Sequence, residues 1–181
     1  MLAGFPVKKA EKKGAGVITL ARETPDDWWE VETLYDLCFA PGREALSSYR
    51  LREGTAPVAE LCLVARDGAG ALVGAIRYWP VRAGTAPALL LGPIAVHPTH
   101  QGEGLGASLI CDSLARAAGR WDRVLLVGDK AYYGRFGFFR LDAVTMPPPT
   151  NPERVLGLAL RPGAWDGVRG AVRPHRPGAS A

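Results

Sequence analysis

The stretch Leu90-Leu-Gly-Pro-Ile-Ala-Val-His-Pro-Thr-His-Gln-Gly-Glu-Gly-Leu-Gly-Ala-Ser108 decides how this chain is read. From Leu89 to Val96 it is apolar at nearly every position, which predicts a strand buried on both faces. Gly102, Gly104 and Gly106 then make a turn that opens a predicted helix over 104–118, with Leu105, Leu109 and Leu114 on one side. Glycines let the backbone come close to a ligand and accept positive φ, so several N–H groups can converge on one anion. The helix start adds unpaired N–H donors and a positive dipole end. Ser108 falls in the first turn, where its hydroxyl can join them. A pyrophosphate suits such a cradle, although a plain tight turn also accounts for the glycines taken alone.

Two familiar phosphate loops fit poorly. A Walker loop needs Gly-Lys-Ser/Thr, and no lysine follows these glycines. A dinucleotide fingerprint would take Gly102, Gly104 and Ala107 as G-x-G-x-x-A, but five residues separate Val96 from Gly102. No acidic residue clearly ends a second strand about 20 residues on, since Asp122 comes early and Asp129 late.

Working outward, Val17 to Ala21 predicts a first strand. Thr24-Pro-Asp-Asp predicts a helix start, and Trp28, Val31, Leu34, Tyr35 and Cys38 give the helix an apolar stripe. Pro41-Gly42 stops it, and a weaker helix spans Glu44 to Leu51. Glu60 to Ala65 and Ala71 to Val81 are apolar runs around Asp67-Gly-Ala-Gly, a hairpin signal. Downstream, Val124-Leu-Leu-Val predicts a buried strand, Tyr132 and Tyr133 a short helix, and Phe138 and Val155 to Leu160 further strands. Pro147 to Pro152 predicts an extended linker without helix. Antiparallel strands followed by strand–helix–strand give one α/β domain: a mixed sheet with helices on both faces. Its expected extent is 15–161, between a flexible arm at 1–14 and a tail at 162–181 that folds back through Trp165.

Composition narrows the function. The chain has 181 residues and a net charge of +4. Residues 1–13 hold +3 of it and residues 162–181 hold +2, which leaves the central region at −1. The basic character belongs to the ends, so the folded body shows no basic stripe and nucleic-acid binding is disfavoured. No apolar run reaches the roughly 20 residues of a membrane span. Cys38, Cys62 and Cys111 are odd in number, far apart and outside any C-x-x-C pair. That pattern opposes a disulfide framework and a metal site and suits a reducing, cytoplasmic setting.

Gln101-Gly-Glu-Gly-Leu-Gly106 resembles the Q/R-x-x-G-x-G/A acyl-CoA loop of the GCN5-related N-acetyltransferase (GNAT) superfamily. Gly92-Pro-Ile-Ala-Val-His-Pro98 resembles that family's fourth strand, and Tyr132-Tyr-Gly-Arg-Phe-Gly-Phe138 its second motif, with a tyrosine four residues before Gly-Phe. The resemblance is specific over 88–140 and looser over 16–87. The Asp-x-x-Tyr-Tyr-x-Arg-Phe-Gly-Phe form is similar to a branch of uncharacterised bacterial acetyltransferases, although Lys130 stands where that branch has proline.

The resemblance implies a mostly antiparallel sheet with one splayed parallel strand pair, and acetyl-CoA as co-substrate. It implies that the pyrophosphate is bound from Gln101 through Gly102, Glu103, Gly104, Leu105 and Gly106 into Ala107, with Ser108 as an extra donor. The pantetheine arm would run along Ile94, Ala95 and Val96, and Pro93 would mark the splay. Acyl transfer needs an oxyanion stabiliser, for which the N–H near Ile94 is expected. The thiolate leaving group needs a proton, and Tyr133 matches the family's tyrosine; a phenol with a pKa near 10 can supply it. Tyr132 is expected to pack.

The general base is not evident, because residues 88–96 contain no carboxylate. Glu103 is expected to face solvent, His97 and His100 are expected as turn residues rather than bases, Glu60 is a distant candidate, and a water chain or an acceptor that arrives neutral is the alternative. Arg135 is expected to face water. Acceptor residues are expected from the first two helices, roughly Trp28 to Arg52, and from Ala143 to Arg154. Neither range shows an acidic or basic cluster in sequence. The leading expectation is direct acetyl transfer to an amine, a small molecule in preference to a protein. A non-catalytic acyl-CoA-binding module and a nucleic-acid-associated protein working through its basic ends are the alternatives. Homodimers are common in the family, and the sequence selects no interface.

Overall fold

The computed structural model describes residues 17–39, 42–43 and 47–175. The expected N-terminal arm, residues 44–46 of the weaker helix, and residues 176–181 lie outside them. The chain runs through β1 (Thr19–Arg22), α1 (Trp28–Cys38), α2 (Ser47–Arg50), β2 (Leu63–Arg66), β3 (Leu72–Ala83), β4 (Ala86–Val96) and α3 (Leu105–Ala117). It continues through β5 (Arg123–Val127), α4 (Lys130–Tyr133), β6 (Phe139–Arg140), β7 (Val144–Thr145), β8 (Val155–Ala159) and β9 (Gly170–Pro174). The sheet order is β1-β2-β3-β4-β5-β8-β6, with β9 pairing both β3 and β7. The pairs within that order are antiparallel except β4 with β5.

Strand alternation assigns each helix its face. Leu63, Ala65, Ile76 and Tyr78 share a core with Leu105, Leu109, Ile110 and Leu114 of α3. Their neighbours Val64 and Ala75 pack with Val31, Leu34 and Tyr35 of α1 on the opposite side. The β2–β3 turn forms as its sequence predicts, with Asp67 Oδ1 accepting from the N–H groups of Ala69 and Ala71 at 2.9 Å each.

The start of α1 is pinned by a carboxylate. Thr24 donates to Asp27 Oδ2 from its N–H at 2.7 Å and from its hydroxyl at 2.8 Å, while Arg66 of β2 holds Oδ1 at 2.6 Å. The Asp27 pKa is lowered: burial resists the charge, but these donors outweigh it. Asp27→Ala removes all three contacts and is expected to lower unfolding stability by about 1–2 kcal/mol, measurable in urea.

Two segments depart from the sequence expectation. Pro147 to Pro152 is not wholly extended. Thr150 closes a turn onto the Pro147 carbonyl at 2.8 Å, and Pro152–Arg154 forms one 3-10 turn capped by Asn151. Proline fits a first helical position, where no N–H is required. The stretch after Pro162 is also more than a tail. Trp165 is 8% exposed in a second core with Val81, Leu125 and Val172. β9 pairs Val81–Ala83 of β3, and β7 pairs Gly170–Ala171. β3 has 12 residues and β2 only 4, so the far end of β3 presents an open edge that β9 covers.

Candidate functional site

β4 and β5 pair in parallel only at Leu89–Val124 and Leu90–Leu125. Beyond Leu91 the two strands part. The cause lies in β4: Tyr78 faces Leu91 and Ile76 faces Ile94, so Arg77 is opposed by the two residues Gly92 and Pro93. This bulge puts Pro93 where no ladder partner awaits it. It also shifts the alternation, so that Leu89 and Leu91 and then Ile94 and Val96 lie against the α3 core.

His97 N–H donates to the Val73 carbonyl at 2.9 Å. By antiparallel alternation Ala95 also pairs toward β3, while Ile94 and Val96 aim their N–H and C=O groups into the gap. Ala95 therefore lies apart from the other expected binding residues, its methyl buried against α1 at 4% exposure. Gln101 Nε2 donates to the Val96 carbonyl at 2.9 Å, tying the turn to the strand end.

In the turn, Gly102 and Gly104 have φ of +81° and +86°, which L side chains rarely adopt. Gly104 is the N-cap of α3, and the first helix amide to find an acceptor behind it is Ser108, bonded to the Gly104 carbonyl at 3.0 Å. The amides of Leu105, Gly106 and Ala107 are left as unpaired donors. A cavity of about 460 Å³ opens above them, lined by Ile94, Val96, Gln101, Gly102, Leu105 and Ala107, among others. Gly106 lines it as well, under the Tyr132 hydroxyl. Glu103 and Ser108 are exposed and outside this lining, and the Ser108 hydroxyl turns back to the Gly104 carbonyl at 3.3 Å.

A second cavity, of about 410 Å³, occupies the gap between β4 and β5, with Gly92, Pro93, Leu126 and Gly128 in its wall. Ile94, Tyr132 and Tyr133 line both, so the two form one groove. Tyr133 stands at their junction. Its ring packs edge-on to Tyr132 and Phe138, with centroids 4.9 and 5.9 Å away. A Cβ on Gly128 would come within 2.3 Å of that ring, so only glycine fits beneath it. Burial, and next the neighbouring Tyr132, push the Tyr133 phenol up to about 12, so it stays protonated at neutral pH. Tyr132 is 39% exposed and carries the Arg135 guanidinium 4.1 Å from its ring centroid, so both take part in the groove wall.

Of the weaker base candidates, His100 lines the cavity above the turn, while His97 and Glu60 line neither cavity. His97 and His100 both bind the Thr99 hydroxyl through Nδ1, at 2.7 and 2.9 Å, and Glu60 lies on the surface 3.7 Å from Arg120. The cavity contains a carboxylate that the strand pattern could not reveal: Asp129, whose Oδ1 caps α4 by accepting from Ala131 N–H at 2.8 Å. Trp28 and Trp29 do not line the groove. They stack on each other at 5.5 Å and stay 52% and 72% exposed. Phe39, Tyr49, Arg52 and Arg154 do line it, brought from the two acceptor ranges. Arg52 and Arg154 form the basic pair that no local sequence cluster announced.

A mixed sheet whose central parallel pair opens beside a glycine-rich helix start defines the class, an N-acetyltransferase fold. Residues 59–139 match the sequence model of the acetyltransferase (GNAT) domain. A GNAT family acetyltransferase from Brucella melitensis, solved with acetyl-CoA, is 30% identical over 88% of this chain and 96% of its own, with a TM-score of 0.64. The Escherichia coli GNAT family N-acetyltransferase YhbS, solved with CoA, is 27% identical over 92% of this chain and 94% of its own, with a TM-score of 0.77. No curated protein sequence matches the chain. The chain belongs to the GNAT family of N-acetyltransferases. Among the described residues no helix is long and apolar enough to cross a membrane.

Proposed function

We propose that the protein is an acetyl-CoA-dependent N-acetyltransferase that moves the acetyl group directly to an amine, with a small-molecule acceptor. The observation that carries this reading is the single groove, which runs from unpaired helix amides, along an unpaired strand edge, to a neutral tyrosine and a separate cavity. The residues present fit the co-substrate. The amides at the start of α3 and the positive end of that helix suit a pyrophosphate. The N–H and C=O of Ile94 and the N–H of Val96 suit an amide-bearing arm added as a strand. Bound there, acetyl-CoA supplies the activated thioester carbonyl.

This chain's groups would then divide the work. Ile94 N–H, fixed by the bulge, stabilises negative charge on the acyl oxygen. Tyr133 gives its proton to the departing sulfur; the buried phenol keeps that proton at neutral pH and passes it on only as the C–S bond breaks and negative charge gathers on the sulfur. Asp129 or water takes the proton that an ammonium must lose before its nitrogen attacks. The low exposure of Gly92 and Pro93 keeps bulk water from the joint of the two cavities.

The test is calorimetric titration with acetyl-CoA, beside NAD and ATP as controls. Micromolar binding of acetyl-CoA alone is expected. Gly104→Val, which forces a β-branched residue to φ +86°, should weaken it about tenfold or more. Equal binding in wild type and variant would detach the turn from the co-substrate. No binding by the wild type would remove the reading.

A further inference from the structure

We infer that the acceptor amine also carries an anionic oxygen group, a carboxylate or a phosphate, which Arg52 and Arg154 hold in the cavity between the splayed strands. The inference rests on the acetyltransferase reading and names the acceptor class for that same site.

The charge of the cavity wall comes first. Among the described lining residues Arg52 and Arg154 stand against Asp129 alone, which gives that part of the wall one net positive charge. A simple ammonium acceptor would be repelled by that wall, while one that brings its own negative charge would be drawn in. Arg52 is set for the purpose. Its guanidinium lies 4.1 Å from the Tyr49 ring centroid and 5.6 Å from that of Trp79, so two aromatic rings help to hold it in place. One Nη lies 3.9 Å from where a Cβ of Gly92 would stand, at the mouth of the splay.

Other arginines of this face are neutralised by described carboxylates, and Arg52 is not. Arg77 reaches Glu23 and Glu32, and Arg43 reaches Glu32 and Asp36, all at 2.5–2.7 Å. Among the described residues Arg52 reaches no carboxylate. Among those residues it meets Ser48 Oγ at a long 3.5 Å and the Tyr49 side chain, and its buried Nε has no partner there. Burial lowers its pKa accordingly. A desolvated guanidinium without a counter-ion is costly unless a ligand completes it, and the planar fork matches the two oxygens of a carboxylate or phosphate. Arg154 supplies a second cation from the other wall, placed there by the bond from Gly128 N–H to its carbonyl at 2.9 Å.

The test compares matched acceptors by CoA-thiol release: glycine with glycinamide, leucine with leucinamide, and O-phosphoethanolamine with ethanolamine. The wild type is expected to favour the anionic member of at least one pair by about 10- to 100-fold in kcat/KM, the size of a charge-assisted hydrogen bond. The pair with the larger ratio tells carboxylate from phosphate. Arg52→Gln should bring the ratio near unity, mainly through KM, while Arg52→Lys keeps part of it and Arg154→Gln loses part of it. Raised salt should shrink the preference contributed by Arg154, which is exposed. Acetyl-CoA affinity is measured on the same preparations. Normal acetyl-CoA binding with parity in every wild-type pair, with no anionic amine accepted, or with the preference intact in Arg52→Gln overturns the inference alone. Loss of acetyl-CoA binding by the wild type overturns the reading beneath it.

Discussion

Tyr133→Phe is expected to lower turnover about 100-fold or more while leaving acetyl-CoA affinity unchanged, because general acid catalysis typically contributes 10²–10⁴-fold. The substitution removes one oxygen and keeps the ring that packs on Phe138 and over Gly128. Folding and the groove wall should therefore survive, and single-turnover thiol release should register the loss. Burial holds the phenol at about 12, so its ionisation should not erode the rate until the pH approaches that value. A decline at lower pH would belong to another group. An active wild type that keeps its rate after the change would remove the acid role from Tyr133 and leave the fold assignment standing.

Arg77→Met is expected to cost about 3 kcal/mol of unfolding stability, or roughly 10 °C in Tm, by leaving carboxylates buried without their partner. Arg77 is 7% exposed on the α1 side of β3. It holds Glu23 through Nε at 2.9 Å and through a second nitrogen at 2.5 Å, and Glu32 at 2.5 Å. The loss falls at the lower end of the range for broken buried pairs, because Glu32 keeps Arg43 at 2.6 Å and one-fifth of its side chain meets water. The Glu32 carboxyl has a lowered pKa: burial alone would raise it, but the hydrogen bonds from Arg43 and Arg77 outweigh burial. A lowered folded value contributes stability that is present above the unfolded 4.5 and lost as pH falls through the folded value. Wild-type Tm should thus fall in acid below about 4.5, and Arg77→Met should show a smaller acid-induced drop. Chemical denaturation at pH 7 and scans from pH 7 to 3 measure both.

Much of the geometry of the candidate groove was legible because its signals are local. Five features of the turn from Gln101 to Ala107 depend on neighbours within one helical turn: two positive-φ glycines, a cap, unpaired amides, and a strand ending at Val96. Tyr133 was legible for the same reason, being four residues before a Gly-Phe that closes its own short helix. Asp129 escaped because its visible job is to cap that helix; only the divergence of β4 from β5 turns it into a wall of the cavity. Trp28, read as part of the apolar stripe of α1, leaves that stripe in the fold and stacks on Trp29, because aromatic type says nothing about facing. In the fold both stack in solvent, while Val31, Leu34 and Tyr35 take the buried stripe.

The sequence by itself determined the strand–turn–helix unit, the hairpin at Asp67, the class of the fold and the tyrosine at the junction, since hydrophobic period, glycine conformation and helix capping act over a few residues. Tertiary structure alone decided which distant charges meet. Arg77 finds acids 54 and 45 positions away. Arg52 and Arg154 come from segments remote in sequence to line one cavity, and β9 returns to close the open edge of β3. A side chain's charge is written in the sequence, but its partner and its dielectric surroundings exist only once the sheet has brought remote segments together.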